Sequence, residues 1–389
     1  MRADSSGFPR SELRSLHAKD RVACAPAWQL AVIAGLLLAC VAAKTGAEPP
    51  AKKSGSPPPV PQAAPDVQPA NGAPSNATIE AGLLLQAHDP QVKFVVISRD
   101  GRRLYTGGDD KLIKLWDLPG GKLRQTLKGH AAAVCCGALS PDEKVLVTGS
   151  SDGSLRTWET ETGKSQGSFV GQSSPIAAVA FFPDGKSLAS AGDGGIFCLW
   201  NLSTRKRTYT SLEQELTIKS IRYSPDGEHL ATSTGDWENW QQPGEVKLWK
   251  AATGEELQLL PGHKAQVNAV AFSSDGKHLA TGACDGNVRI WDVAERTLVS
   301  IANVRGCVWA VEYFPDDSRL AVAQWPGQVL VWNLRTARKE AVAVGHEKGK
   351  MIYSLAISPD SSSIVSGAAD GTARTWNVVL PMARPNEEK

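Results

Sequence analysis

A chain of 389 residues, 42% hydrophobic and 21% charged, holds enough apolar surface for a sizeable core, which excludes wholesale disorder. A net charge of +2, from 42 Lys and Arg against 40 Asp and Glu, gives no general attraction for nucleic acid. The 36 Gly and 24 Pro mark a turn-rich chain, and 12 Trp stand out beside 8 Phe and 5 Tyr.

The first element is residues 1–45. Arg2, Arg10, Arg14, Lys19 and Arg21 precede a run, Val22 to Ala43, that has no charged side chain. A positive region followed by an apolar one reads as an export segment, and the positive-inside rule leaves the rest of the chain outside the cytoplasm. Val41-Ala42-Ala43 and Thr45-Gly46-Ala47 suit cleavage by a signal peptidase. The run is also close to the roughly 20 residues of a spanning helix, so an uncleaved signal-anchor with a cytoplasmic N-terminus is the alternative. Leu37-Leu38-Ala39-Cys40 resembles a lipobox in which Cys40 would carry lipid. Residues 46–77 follow, with nine Pro among Ala, Ser, Lys and Gly. Such a stretch cannot bury enough apolar surface to offset its ordering entropy, and it reads as a disordered tether. The localisation expected is exported, in the cell envelope, periplasmic or membrane-anchored, with membrane contact only through the N-terminal segment.

The rest, 78–380, repeats. Trp116, Trp158, Trp200, Trp249, Trp291, Trp332 and Trp376 are spaced by 42, 42, 49, 42, 41 and 44 residues. Self-similarity at that period means a repeat architecture. Asp100, Asp142, Asp184, Asp275, Asp316 and Asp360 each stand 16 residues before their Trp, while Asp226 stands 23 before Trp249, so the fourth repeat carries an insertion. Turns such as Pro183-Asp184-Gly185, flanked by apolar alternation, are β-hairpin chemistry. His88, His130, His263 and His346 form a third ladder, each behind Gly or Ala.

Gly129-His130 leading to Trp158-Glu159, Gly262-His263 leading to Trp291-Asp292, and Trp116-Asp117 resemble the WD-repeat β-propeller family, of the bacterial exported or membrane-anchored type. The resemblance implies an all-β fold, a seven-bladed propeller of four-stranded antiparallel blades around a channel. It also implies hydrogen-bonded tetrads of His, Ser or Thr, Asp and Trp. The matching sets are His88, Thr106, Asp110 and Trp116; His130, Thr148, Asp152 and Trp158; His263, Thr281, Asp285 and Trp291; and His346, Ser366, Asp370 and Trp376. Three repeats depart from the pattern. Gln172 and Gly194 stand in the third, Gln214 and the insertion in the fourth, Val304 and Pro326 in the sixth. Too few residues follow Trp376 to complete a blade, so the N-terminal strand Thr78–Gln86 is expected to supply the missing outer strand and close the ring, leaving 381–389 as a tail.

Chemistry is otherwise sparse. Four His belong to the ladder, His229 and His278 begin surface strands, and His17 lies in the export segment, which leaves none for a triad or a metal. Cys135, Cys136, Cys198, Cys284 and Cys307 show no metal spacing and no evident disulfide framework. The expectation is therefore no enzyme, no catalytic residue, no metal and no cofactor. Nor is nucleic acid expected as a partner, since the body is close to neutral once residues 1–77 are set aside. Trp237 and Trp240 sit in the insertion Asp236–Pro243, Trp325 in the matching hairpin of the sixth repeat, and Trp309 on an innermost strand near the channel mouth. Trp is the residue most enriched at binding hot spots, so these four are the candidate partner-binding residues. Packing over the blades with degraded tetrads is the competing role. The function expected is a monomeric, non-catalytic protein–protein interaction scaffold displayed outside the cytoplasmic membrane; the alternative is a small-ligand-binding or enzymatic propeller that uses the channel mouth.

Overall fold

Residues 77–379, apart from 170, 171, 173 and 237, are described by a computed structural model. The export segment, the tether, the C-terminal tail and Trp237 lie outside the described residues. The described chain is all strand and turn, in seven antiparallel sheets of four strands. No helix among these residues is long and apolar enough to cross a membrane.

Six blades are runs of consecutive hairpins, at 92–128, 134–169, 176–210, 217–259, 267–303 and 308–344. The seventh takes three strands from 352–379, and its fourth is Thr78–Gln86, which pairs antiparallel with Thr372–Val379. The innermost strand of each blade lies beside that of the next, and Ile352–Ile357 of the last lies beside Val92–Ile97 of the first.

Hairpin chemistry sets the register. In five blades a Ser hydroxyl donates to the turn Asp two residues on, as in Ser140 to Asp142 at 2.6 Å and Ser273 to Asp275 at 2.7 Å. That Asp then accepts the N–H two residues further, from Lys144 and Lys277, so each turn satisfies its own backbone. The core lies between sheets. Trp200 of blade 3 packs with Leu155 and Phe169 of blade 2, and Trp249 of blade 4 with Ala189 and Phe197 of blade 3. Six ladder Trp are buried; Trp332, in the blade with Val304 and Pro326, is only half-buried.

Candidate interaction face

Three of the four matching tetrads are assembled in full, those of blades 1, 5 and 7. In blade 1, Trp116 Nε1 donates to Thr106 Oγ1 at 3.0 Å, the hydroxyl meets His88 Nε2 at 2.8 Å, and Nδ1 meets Asp110 at 2.7 Å. Blades 5 and 7 repeat this through Thr281 with His263 and Asp285, and through Ser366 with His346 and Asp370. In blades 1 and 7 one neutral tautomer fits the whole chain. The indole donates to the hydroxyl, the hydroxyl to Nε2, and Nδ1–H to the carboxylate. Burial lowers the pKa of His88 and His263, and brings His130 down to about 4, against the pull of the carboxylates.

Blade 2 differs in detail. His130 Nε2 and Trp158 both reach Thr148, at 2.8 and 2.9 Å, but Nδ1 meets the Ser154 hydroxyl at 2.9 Å while Asp152 stands 3.6 Å away. Asp152 instead accepts the N–H groups of Ala131 and Ser154. Burial would raise its carboxyl, yet the hydrogen bonds from Ser154 and the backbone outweigh this and hold it at about 2. The expectation of a direct His130–Asp152 bond is corrected: a hydroxyl two residues on takes the carboxylate's place.

The departing blades keep fragments. In blade 3, Trp200 donates to Ser190 at 2.8 Å and Ser190 to Gln172 Oε1 at 2.7 Å, so Gln replaces His. In blade 4, Trp249 donates to Thr232, but the Gln214 amide is buried with no hydrogen bond among the described residues. In blade 6, Val304 and Val322 replace both polar partners.

The channel shows a second order that the sequence reading did not reach. Every innermost strand shifts register against its neighbour at one equivalent place: Val92/Phe94, Val134/Cys136, Ile176/Ala178, Ile218/Ser220, Val267/Ala269, Val308/Ala310 and Ile352/Ser354. A bulge leaves one residue out of the ladder and re-aims its side chain. The bulged residues are Lys93, Cys135, Ala177, Lys219, Asn268, Trp309 and Tyr353, and all seven line a central cavity of about 350 Å³. Trp309 meets Tyr353 edge-on at 5.7 Å, and Lys93 Nζ lies 4.4 Å from the Tyr353 ring centre. Burial brings Lys219 down to about 6, although Asp193 and Asp236 oppose this. Further along the channel Arg222 reaches Glu312 at 3.4 Å, from blade 4 to blade 6.

The Trp-bearing loops stand on the His-loop side. The Trp240 carbonyl accepts Gln266 N–H at 3.1 Å, which ties the half-buried Trp240 to blade 5. Trp325 N–H donates to the Cys307 carbonyl at 2.9 Å, and its side chain is 36% exposed. A disulfide lies between the two loops. Cys284 and Cys307 form it, between blades 5 and 6, although their spacing showed no evident disulfide framework. The spacing could not reveal it, because the partners lie in different repeats and meet only through the ring. Cys135, Cys136 and Cys198 are free, and burial raises the first two thiols.

Among the described residues one group has metal-ligand composition, Asp226, Glu228 and His229, with ligand atoms within 4.8 Å of one another. Asp226 there is engaged in the same turn network as its counterparts, accepting from Ser224 and from Glu228 N–H.

The model of the WD domain, G-beta repeat, matches 82–117, 121–159, 163–201, 254–292 and 339–377. The segments left between them hold blades 4 and 6, which lack a histidine tetrad and carry the Trp loops. The periodic tryptophan protein 2 homolog of Schizosaccharomyces pombe is 27% identical over 108 residues, 28% of this chain and 13% of that protein. Protein FIZZY-RELATED 1 of Arabidopsis thaliana is 31% identical over 99 residues, 25% of this chain and 20% of its own length. The B-type cell cycle switch protein ccs52A of Medicago truncatula is 33% identical over 111 residues, 28% and 22% of the two lengths. The chain thus spans under a quarter of each of these relatives. Five matched WD40 repeats, within seven four-stranded blades, fit the WD-repeat propeller family.

Proposed function

We propose that the chain is a non-catalytic protein-interaction scaffold whose docking face lies on the His-loop side of blades 4 to 6. The observation that carries this reading is that the loops of Trp240 and Trp325 flank a disulfide-bridged seam, with Trp325 well exposed. Exposed aromatics on an ordered rim are the usual anchors of protein partners. WD40 propellers generally bind proteins, which supports the class of partner but not its identity. The test is Trp240→Ala with Trp325→Ala, read by partner capture from envelope extracts and by thermal melting. Lost capture with unchanged melting is the expected result; lowered melting with unchanged capture would assign the Trp side chains to packing instead.

Display outside the cytoplasm belongs to the same proposal. Its supports are the charge pattern of residues 1–45 and the Cys284–Cys307 bond, since disulfides persist in oxidising compartments. The mass of the mature N-terminus separates a cleaved chain from an anchored or Cys40-lipidated one. A second reading, a small ligand in the channel, is favoured by the ring of Lys93, Lys219, Trp309 and Tyr353 around the cavity. Binding of a ligand there would be weakened by Lys219→Met but not by Trp325→Ala.

A further inference from the structure

A continuous path runs between the two Trp loops. The Trp240 carbonyl accepts Gln266 N–H at 3.1 Å, the Gln266 carbonyl accepts Cys284 N–H at 3.0 Å, Cys284 is bonded to Cys307, and the Cys307 carbonyl accepts Trp325 N–H at 2.9 Å. The only link in this path between blades 5 and 6 is the disulfide. Around it, the amides of Gln266 and Asn268 point at sulfur, Gln266 Nε2 at 3.5 Å and Asn268 Nδ2 at 3.4 Å from Cys284 Sγ. Asn268 Nδ2 also donates to the Val308 carbonyl, next to Trp309.

Blade 6 is where such a link has most effect. In blades 1, 5 and 7 the loop before the innermost strand is anchored by a His bonded to an Asp and a hydroxyl. In blade 6 that loop has Val304 at the His position and Val322 at the hydroxyl position. Among the described residues its anchors include Val304 N–H and Arg305 N–H on the Gly286 carbonyl, Trp325 N–H on the Cys307 carbonyl, the Asn268 amide on the Val308 carbonyl, and the disulfide three residues after Val304.

We propose that the Cys284–Cys307 disulfide takes over the anchoring role of the missing tetrad and couples the two Trp loops into one face, so that a dithiol reductant releases them. The regulatory consequence rests on the docking reading above. In the exchange, a thiolate of the reductant attacks one sulfur of the pair and the other leaves as a thiolate. The second thiol of the reductant then displaces the first Cys. Two protons and two electrons pass to Cys284 and Cys307, and the reductant becomes a disulfide. Ring integrity does not depend on this step, because the blades remain joined by their interblade cores and by the Gly286 hydrogen bonds.

The full chain, oxidised and then treated with dithiothreitol, tests this through amide hydrogen exchange. The amides of Gln266, Cys284 and Trp325 should exchange at least about tenfold faster after reduction, while Val304 and Arg305 stay as they were. The Cys284→Ser/Cys307→Ser chain should match the reduced protein. Unchanged exchange at the three reporter amides would overturn the proposal, as would alkylation of both Cys by iodoacetamide before any reductant is added. Global unfolding on reduction would overturn it too, since the bond would then hold the fold and not the loops. The readout is separate from partner capture. Faster exchange with capture insensitive to the Trp substitutions removes docking and leaves the coupling; the converse removes the coupling and leaves docking.

Discussion

Thr148→Val isolates what one tetrad hydroxyl contributes. Thr148 is fully buried, and its hydroxyl serves His130 Nε2 at 2.8 Å and Trp158 Nε1 at 2.9 Å. Valine keeps the shape, so no cavity opens, but an imidazole nitrogen and an indole N–H are left buried without partners. Each stranded group costs about 1–3 kcal/mol, so the variant should lose about 2–6 kcal/mol. Blade 6 supplies the reverse experiment, because Val322 is buried at the same place with Val304 across from it. There Val322→Thr introduces one hydroxyl, with Trp332 ten residues on as in the tetrad blades, so the loss should be near 1 kcal/mol if the indole takes it up. Urea unfolding reads both, through the midpoint at constant slope. If Thr148→Val stays within about 0.5 kcal/mol of the parent, the tetrad is not a stabilising network.

Acid should destabilise the ring in two stages. His130 has a folded pKa of about 4 against an ordinary value of 6.5, so below pH 6.5 the unfolded chain takes up a proton that the folded one refuses. Stability is then lost as pH falls from 6.5 towards 4, by at most about 3 kcal/mol for this residue, with His88 and His263 acting in the same direction. Asp152 adds a second loss between its ordinary value of 3.8 and about 2. Equal unfolding free energies at pH 7 and pH 5 would contradict the first stage. The outer strand of blade 7 offers a paired comparison: Leu85 is 6% exposed and packs against Leu104, Trp116 and Val365, while Leu84 is 47% exposed. Leu85→Ala should cost about 2–4 kcal/mol and Leu84→Ala under about 0.5, as melting temperatures will record.

Much of the blade plan was legible because it repeats. A Trp every 42 residues or so and an Asp 16 before it reflect two positions that each blade needs, one to fill the interblade core and one to cap a turn. The loss of His in blades 3, 4 and 6 was legible for the same reason. What escaped depends on the ring and not on the period. Cys284 and Cys307 belong to successive repeats, and no spacing rule relates residues that only the curvature of the assembled sheets brings together. Ser154 escaped because it sits two residues after an Asp that looked sufficient; geometry alone decides which oxygen reaches Nδ1. The channel ring was hidden by the bulge. Simple alternation along Val267–Phe272 does not mark Asn268 as the residue expelled from the ladder and turned to the axis. Of the four Trp candidates, the sequence separated the loop Trp from the ladder Trp but could not show that the backbones of Trp240 and Trp325 share one bonded path.

The pairing of Thr78 with Val379 has a mechanical corollary. The two flanks of the propeller leave from the same corner of blade 7, at the same end of an antiparallel pair. Tension between them acts as on a zipper, opening one cross-strand pair at a time, and not as shear across the whole row. The first tooth is Thr78 and Val379; the break in register between Ala81 and Leu84 divides the row, and beyond it the buried Leu85 must be pulled out before the rest can part. A pull between the two flanks would therefore yield at this clasp before it strained the blades that carry the Trp loops.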